Sequence, residues 1–358
     1  MRIYMFKKFI NFIFLITINT FLIYHSYAIH FNELSESQIE NIVKRSYQYV
    51  ALYNVINKVA MATDSPISTK GWNKLFLGTK LANDSLQTIA RANSDTLYSV
   101  ATLDLRNDPM ILEIPFINSK YVSLQTSSYD NYMNIIFSKR DDNYKKSQKI
   151  LFYSARTKNF NPMKKIKNID QYVELSGDFG IALLRVLPHF KNQEKYHNIV
   201  QSINQINLIS LSNYLNKGFL TAKIVEFPHF SNTDIETFGN NFLEVMQFIL
   251  NHTTFQPEKY QLDKELLESY QAIGIEPKKI WNPKNFRDVD LQKVSLIAQE
   301  IKNNQFEIIR TPEQIKLFVP YLFLPKGFAN LDTMLLQSVM EPLGLPQLEQ
   351  KDLYSIRM

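Results

Sequence analysis

The chain has 358 residues, 45% of them hydrophobic and 13% aromatic, with nine glycines and no cysteine. That composition describes a folded protein with a sizeable core, and it excludes a disulfide framework, a catalytic thiol and thiolate metal sites. The formal charge is +6, but Arg2, Lys7 and Lys8 carry three of those charges in an N-terminal leader, so net charge gives no argument for nucleic acid or an anionic membrane.

Residues 1–28 have a basic start, a mostly apolar run from Phe9 to Tyr24, and small residues at Ser26 and Ala28. This layout predicts a secretory signal peptide cleaved after Ala28, and with it a periplasmic or secreted location. The apolar run is short for a membrane span, which takes about 20 residues.

Residues 29–90 read as an N-terminal helix and a connector. Ser35 with Gln38, or Ser37 with Glu40, supplies a capping box. Ile39, Ile42, Val43, Val50, Tyr53, Ile56 and Val59 then recur at helical spacing, predicting a helix over Ser35–Met61. From Thr63 to Ala90, Pro66, Gly71 and Gly78 punctuate a connector with at most short helices, pinned to the core by Trp72, Phe76 and Leu77.

Residues 91–190 read as a β-rich domain. In RANSDTLYSVATLDL (Arg91–Leu105), Thr96, Tyr98, Val100 and Thr102 take one face and Leu97, Ser99, Ala101, Leu103 and Leu105 the other. Further strands are predicted at Met110–Ile114, Tyr121–Ser127, Tyr132–Phe137, Tyr172–Leu175 and Phe179–Leu187. Turns at Asn107-Asp108-Pro109 and Asn118-Ser119-Lys120 separate the first of them. Strands at this spacing predict an antiparallel sandwich. The lysine-rich stretch Lys139–Lys167 reads as a solvated hairpin and loop face.

Residues 191–310 read as a helical section, with helices over Gln193–Asn216, Asp234–Asn251, Pro257–Ala272 and Pro283–Asn303. Residues 311–358 read as an irregular tail around a short helix, Leu331–Met340. Strands followed by helices make the fold class α+β.

No sequence pattern nominates a reaction. HExxH, GxSxG, Walker and GxGxxG motifs are missing, so no metal and no cofactor is expected. His189 and His229 share a Pro-His-Phe context that would set two similar loops side by side. Arg185 interrupts the apolar strand Ile181–Leu187, and an arginine there needs a carboxylate, a carbonyl set or an anionic ligand. Asp95 and Asp130 are its candidate partners.

RANSDTLYS followed by LDL resembles the RPNNDTLYS...LDL signature of the family called domain of unknown function 1254. KYVSLQ and the following D-x-Y-x-N-x-x-F resemble that family's next conserved run, through Asp130, Tyr132 and Asn134; QAIGIEPKKIW resembles a later segment. Ala92, Ser94 and Lys120 depart from the pattern, and SKRDDNYKK keeps Arg140 but loses a glycine. GLPQLEQKDLY resembles the junction that precedes a second domain, of unknown function 1214, so the chain reads as a form lacking it. The resemblance implies a jelly-roll-like β domain with a helical section in a secreted or envelope protein. It implies no reaction.

The expected function is therefore binding of a small polar or anionic molecule, or a glycan, by Arg91, Asn93, Asp95, Tyr98, Asp130, Asn134, Arg140 and Arg185. A hydrolase or lyase using Asp95 or Asp130 as general base with an arginine is the alternative. A scaffold remnant that self-associates through the surface left by the second domain is the third reading.

Overall fold

In the computed structural model of the chain, residues 30–81, 95–138, 144–218, 220, 224–308 and 325–340 are described. The residues expected to form a signal peptide, Arg91, Asn93, Arg140 and most of the C-terminal tail lie outside them. Among the described residues, nine strands and eight α-helices form a mixed α and β structure with two sheets.

Helix α1 (Glu36–Met61) begins at Ser35, whose hydroxyl accepts from the backbone of Gln38 while the Gln38 side chain accepts from the backbone of Ser35. That closes the capping box expected from Ser35 and Gln38, and it satisfies two donors that a helix start otherwise leaves open. Eighteen of its 26 residues are buried. The helix is thus wrapped on nearly all sides, which is why Tyr47, Tyr49 and Tyr53 are core residues.

The first sheet runs β1-β2-β8-β4-β5 and is antiparallel throughout, built from β1 (Leu75–Leu77), β2 (Leu97–Asp104), β8 (Phe179–Val186), β4 (Val122–Ser128) and β5 (Asn134–Ser138). The second runs β7-β6-β3-β9, from β7 (Gln171–Leu175), β6 (Gln148–Ser154), β3 (Met110–Ile114) and β9 (Asn207–Ser210). Leu97, Ala101, Leu103, Ala182, Leu184 and Val186 of the first sheet share a core with Leu112, Ile114, Ile150 and Phe152 of the second. This packing uses the apolar face read from the alternation in β2.

The opposite face of the first sheet is also covered. Val100, Phe179 and Ile181 pack into a second core with α1, α4 (Asp234–Asn240), α5 (Phe242–His252), α6 (Gln261–Gln271), α7 (Leu291–Ile308) and α8 (Leu331–Met340). The order of layers is sheet, sheet, helices. Two further helices, α2 (Gln193–Ile203) and α3 (Leu211–Tyr214), flank β9.

Several boundaries differ from expectation. The helix read over Gln193–Asn216 is split by β9, which pairs with β3 through Leu112–Leu208 and Ile111–Ile209. The sheets are not purely antiparallel, because β6 and β7 pair in parallel. The connector after α1 contains a strand, β1, held against β2. The last long helix begins at Leu291, after a short 3-10 turn at Pro283–Phe286. No helix among the described residues is long and apolar enough to cross a membrane.

Candidate functional site

Arg185 lies on the face of the first sheet that turns toward the helical layer, paired in register with Tyr98 of β2 and Ser123 of β4. Its guanidinium carbon sits 5.6 Å from the centroid of the Tyr98 ring. Ser123 donates to the Tyr121 hydroxyl at 2.8 Å, which places two more polar groups beside it. Gly78 brings the connector hard against this strand; a Cβ there would overlap the Tyr98 carbonyl. The Arg185 Nε is buried and has no hydrogen-bond partner. A guanidinium beside a ring, with one buried donor left over, has the chemistry to accept a planar anion.

Asp130 lies at the other end of β4, in the turn Tyr129–Met133 that leads into β5. This turn is gripped from three directions. Gln48 of α1 donates to the Asp130 carbonyl at 2.7 Å, and Gln337 of α8 donates to the carbonyl and side-chain oxygens of Asn131 at 2.7 and 3.0 Å. Asn131 takes a positive φ of 58° and donates to Ser338. Asn57 donates to the Tyr129 hydroxyl at 3.2 Å. The Asp130 carboxylate is fully buried, with the Ser176 hydroxyl and the Tyr132 backbone N–H as its nearest donors. Burial pushes its pKa above the usual carboxylate range, with Lys326 and the nearby Ser176 hydroxyl pulling the other way and Asp263 adding to the rise.

A third polar cluster is centred on Asp178, just before β8. His252 Nδ1 lies 2.9 Å from Asp178 Oδ2, Arg156 reaches the same carboxylate at 3.0 Å, and Ser154 donates to its other oxygen at 3.2 Å. Burial alone would raise Asp178, but His252 and Arg156 outweigh it and hold the carboxyl below its ordinary value. The imidazole is flanked by Phe248 and Phe179 at 4.5 and 5.2 Å between ring centroids. Close by, Arg106 forms a bidentate pair with Asp104 and lies 5.0 Å from the Phe179 ring.

Residues 72–209 match the family model described as Protein of unknown function (DUF1254). The resemblance read from RANSDTLYS and the D-x-Y-x-N run falls inside this span. The VPA0106 protein from Vibrio parahaemolyticus, known from a crystal structure, is similar over 86% of this chain and 68% of its own, with 18% sequence identity and a TM-score of 0.58. At that identity the likeness is one of fold. No curated protein matches the chain. The DUF1254 span holds Tyr98, Asp130, Asp178 and Arg185, whereas His252, Asp263 and Lys326 lie beyond it.

The structure places the candidate residues in more than one region. Tyr98 and Arg185 come together, with Asp95 at the start of the same strand region. Asp130 is at the opposite end of β4, and Asn134 is exposed on β5, paired across to Thr126. No ion pair joins Arg185 to Asp95 or Asp130 among the described residues, so the expected Arg-Asp pair is not formed. The cation facing Asp130 is Lys326. Asp130 and Arg185 lie toward opposite ends of the strands that carry them, with Arg185 paired to Ser123.

Sequence reading missed Asp178, His252, Asp263 and Lys326. The one available signal was the polar tripeptide Ser176-Gly177-Asp178 at a strand start, since Asp178 and His252 lie 74 residues apart. The described lysines of the basic stretch are partly spent locally: Lys146 pairs with Asp170, Lys149 with Glu113, and Lys165 lies over Tyr172. His189 accepts from the Lys120 backbone at 3.1 Å and His229 stacks on Phe230. Among the described residues, no group of three or more His, Asp and Glu side chains is arranged to hold a metal.

Proposed function

We propose that this chain is an exported binding protein whose β-sandwich, of jelly-roll type, holds a small anionic molecule or an acidic glycan at Arg185 and Tyr98. The observation that carries this reading is the Arg185 side chain itself. It stands on an otherwise apolar strand, and its Nε is buried without a hydrogen-bond partner. Leaving a buried polar donor open costs about 1–3 kcal/mol, and a carboxylate or phosphate ligand removes that cost by accepting a bidentate pair. Tyr98 adds a ring face on which a sugar or flat carboxylate stacks, and Ser123 and Tyr121 add neutral hydrogen-bonding groups for orientation.

The leader expected over residues 1–28 supports the exported location, and Asp95, Asn93 and Arg91 precede the strand that carries Tyr98. The test is thermal denaturation of the protein against sugars, sugar phosphates, uronic acids and dicarboxylates. A ligand at about 100 times its dissociation constant adds roughly 2.7 kcal/mol. The expected result is a stabilising anion whose effect vanishes in Arg185→Ala. A panel that shifts wild type and Arg185→Ala equally overturns the proposal.

A further inference from the structure

Pro325–Asn330, which leads into α8, inserts Lys326 into a chamber whose walls belong to other elements. The Lys326 ammonium lies 2.7 Å from Asp263 Oδ2 and 5.4, 5.8 and 5.2 Å from the ring centroids of Tyr132, Phe255 and Tyr260. One carboxylate and three aromatic faces around a nitrogen are the chemistry that recognises an organic cation. Asp130 adds a second buried carboxylate, close enough for the Lys326 charge to act on it.

A buried ion pair that merely docked this segment would be expected to close its hydrogen bonds. Here one carboxylate oxygen is left over: Asp263 Oδ2 takes both the Lys326 ammonium and the Gln256 backbone N–H at 2.7 Å, while Oδ1 is buried without a partner. The walls are also fixed without Lys326. Gln256 donates its backbone N–H to Asp263 at 2.7 Å, Phe255 packs on Tyr49 at 6.1 Å, and Gln48 and Gln337 hold the turn that carries Asp130 and Tyr132. Lys326 supplies only the cation, and Gly327 beside it, at φ +95°, lets the backbone pass against Tyr260.

We propose that this chamber is a binding site for an aliphatic primary amine of about the length of a lysine side chain, and that Lys326 is its built-in occupant. Asp263 and Asp130 neutralise the ammonium, and Tyr132, Phe255 and Tyr260 line its path. An exogenous amine competes with Lys326 and displaces Pro325–Asn330 from the chamber. The anion site at Arg185 is separate, at the far end of β4, and its fate does not bear on this one.

The experiment uses the full chain with Lys326→Ala, n-butylammonium as probe and n-butanol as its neutral counterpart, read by thermal midpoint and calorimetry. The variant is expected to bind n-butylammonium at least tenfold more tightly than wild type does, with no response to n-butanol. Adding Asp263→Asn should remove the binding. A folded Lys326→Ala that ignores n-butylammonium, or responds equally to both probes, overturns the proposal. If the variant does not fold alone, its refolding yield decides: rescue by the amine and not the alcohol supports the site, and no rescue overturns it.

Discussion

His252 Nδ1 lies 2.9 Å from Asp178 Oδ2, so the last turn of α5 is tied to the strand start of β8 by a single shared carboxylate. The same joint carries two backbone bonds: Asp178 donates to the His252 carbonyl at 2.8 Å, and Thr254 donates to Ser176 at 2.7 Å. This is where the helical layer is fastened to the sheet.

Asp178→Asn is expected to cost about 1–3 kcal/mol at neutral pH, because the buried carboxylate that accepts from Ser154 and pairs with His252 and the more exposed Arg156 is lost. The sign on the acid side follows from the depressed pKa of Asp178. Its contribution is complete above the ordinary carboxylate value of about 3.9 and is lost as pH falls through its own lower value. Urea denaturation between pH 2 and 7 should show a steeper acid loss in wild type than in the variant.

Asp130 behaves in the opposite sense. Its pKa is raised by burial, so the native state holds this proton more tightly than the unfolded chain does. Its contribution is greatest below the unfolded value and declines as pH rises through the folded one. Asp130→Asn should flatten that decline while the stability at neutral pH stays the same or rises, as urea midpoints across pH 4 to 8 would reveal. A loss above about 2 kcal/mol at pH 7 would show that the carboxylate is a net stabiliser in its charged form.

Arg185→Met keeps much of the apolar stem and removes a guanidinium whose buried Nε has no hydrogen-bond partner among the described residues. Stability should be unchanged or higher by up to about 1 kcal/mol, in the manner of a binding residue that costs the fold something. The check is the thermal midpoint without ligand. A marked fall would make Arg185 a structural residue.

Gly180 sits where β8 passes closest to its neighbours. A Cβ there would lie 2.7 Å from the Ser127 carbonyl oxygen and 2.6 Å from a Leu175 methyl. Gly180→Ala is expected to destabilise by about 1–3 kcal/mol through overpacking, measured as a lower urea midpoint.

Strong local pattern is what sequence carried into structure. β2 was legible because nine residues alternate strictly, and α1 because its apolar positions and its cap agree. β9 was not, because Asn207–Ser210 is four residues long and is made a strand by β3 rather than by its own alternation. The parallel pairing of β6 with β7 has no local signature at all. At the site, Tyr98 and Arg185 were recognisable as polar residues on apolar strands. The partners of Asp130 were not, since Lys326 arrives from 196 positions later and nothing near Lys326 in sequence marks it.

The turn at Tyr129–Met133 is completed by Gln48 on one side and by Lys326, Gln337 and Ser338 on the other. A chain that emerges N-terminus first therefore has its sandwich strands long before it has the groups that close over Asp130. Until α8 arrives the carboxylate stays in water, where ionisation carries no penalty. Closing that turn is a late, long-range step of the kind that slows folding. Shortening the chain before Lys326 should therefore leave the strands able to pair and the junction with the helices open, with slow acquisition of native structure as its kinetic mark.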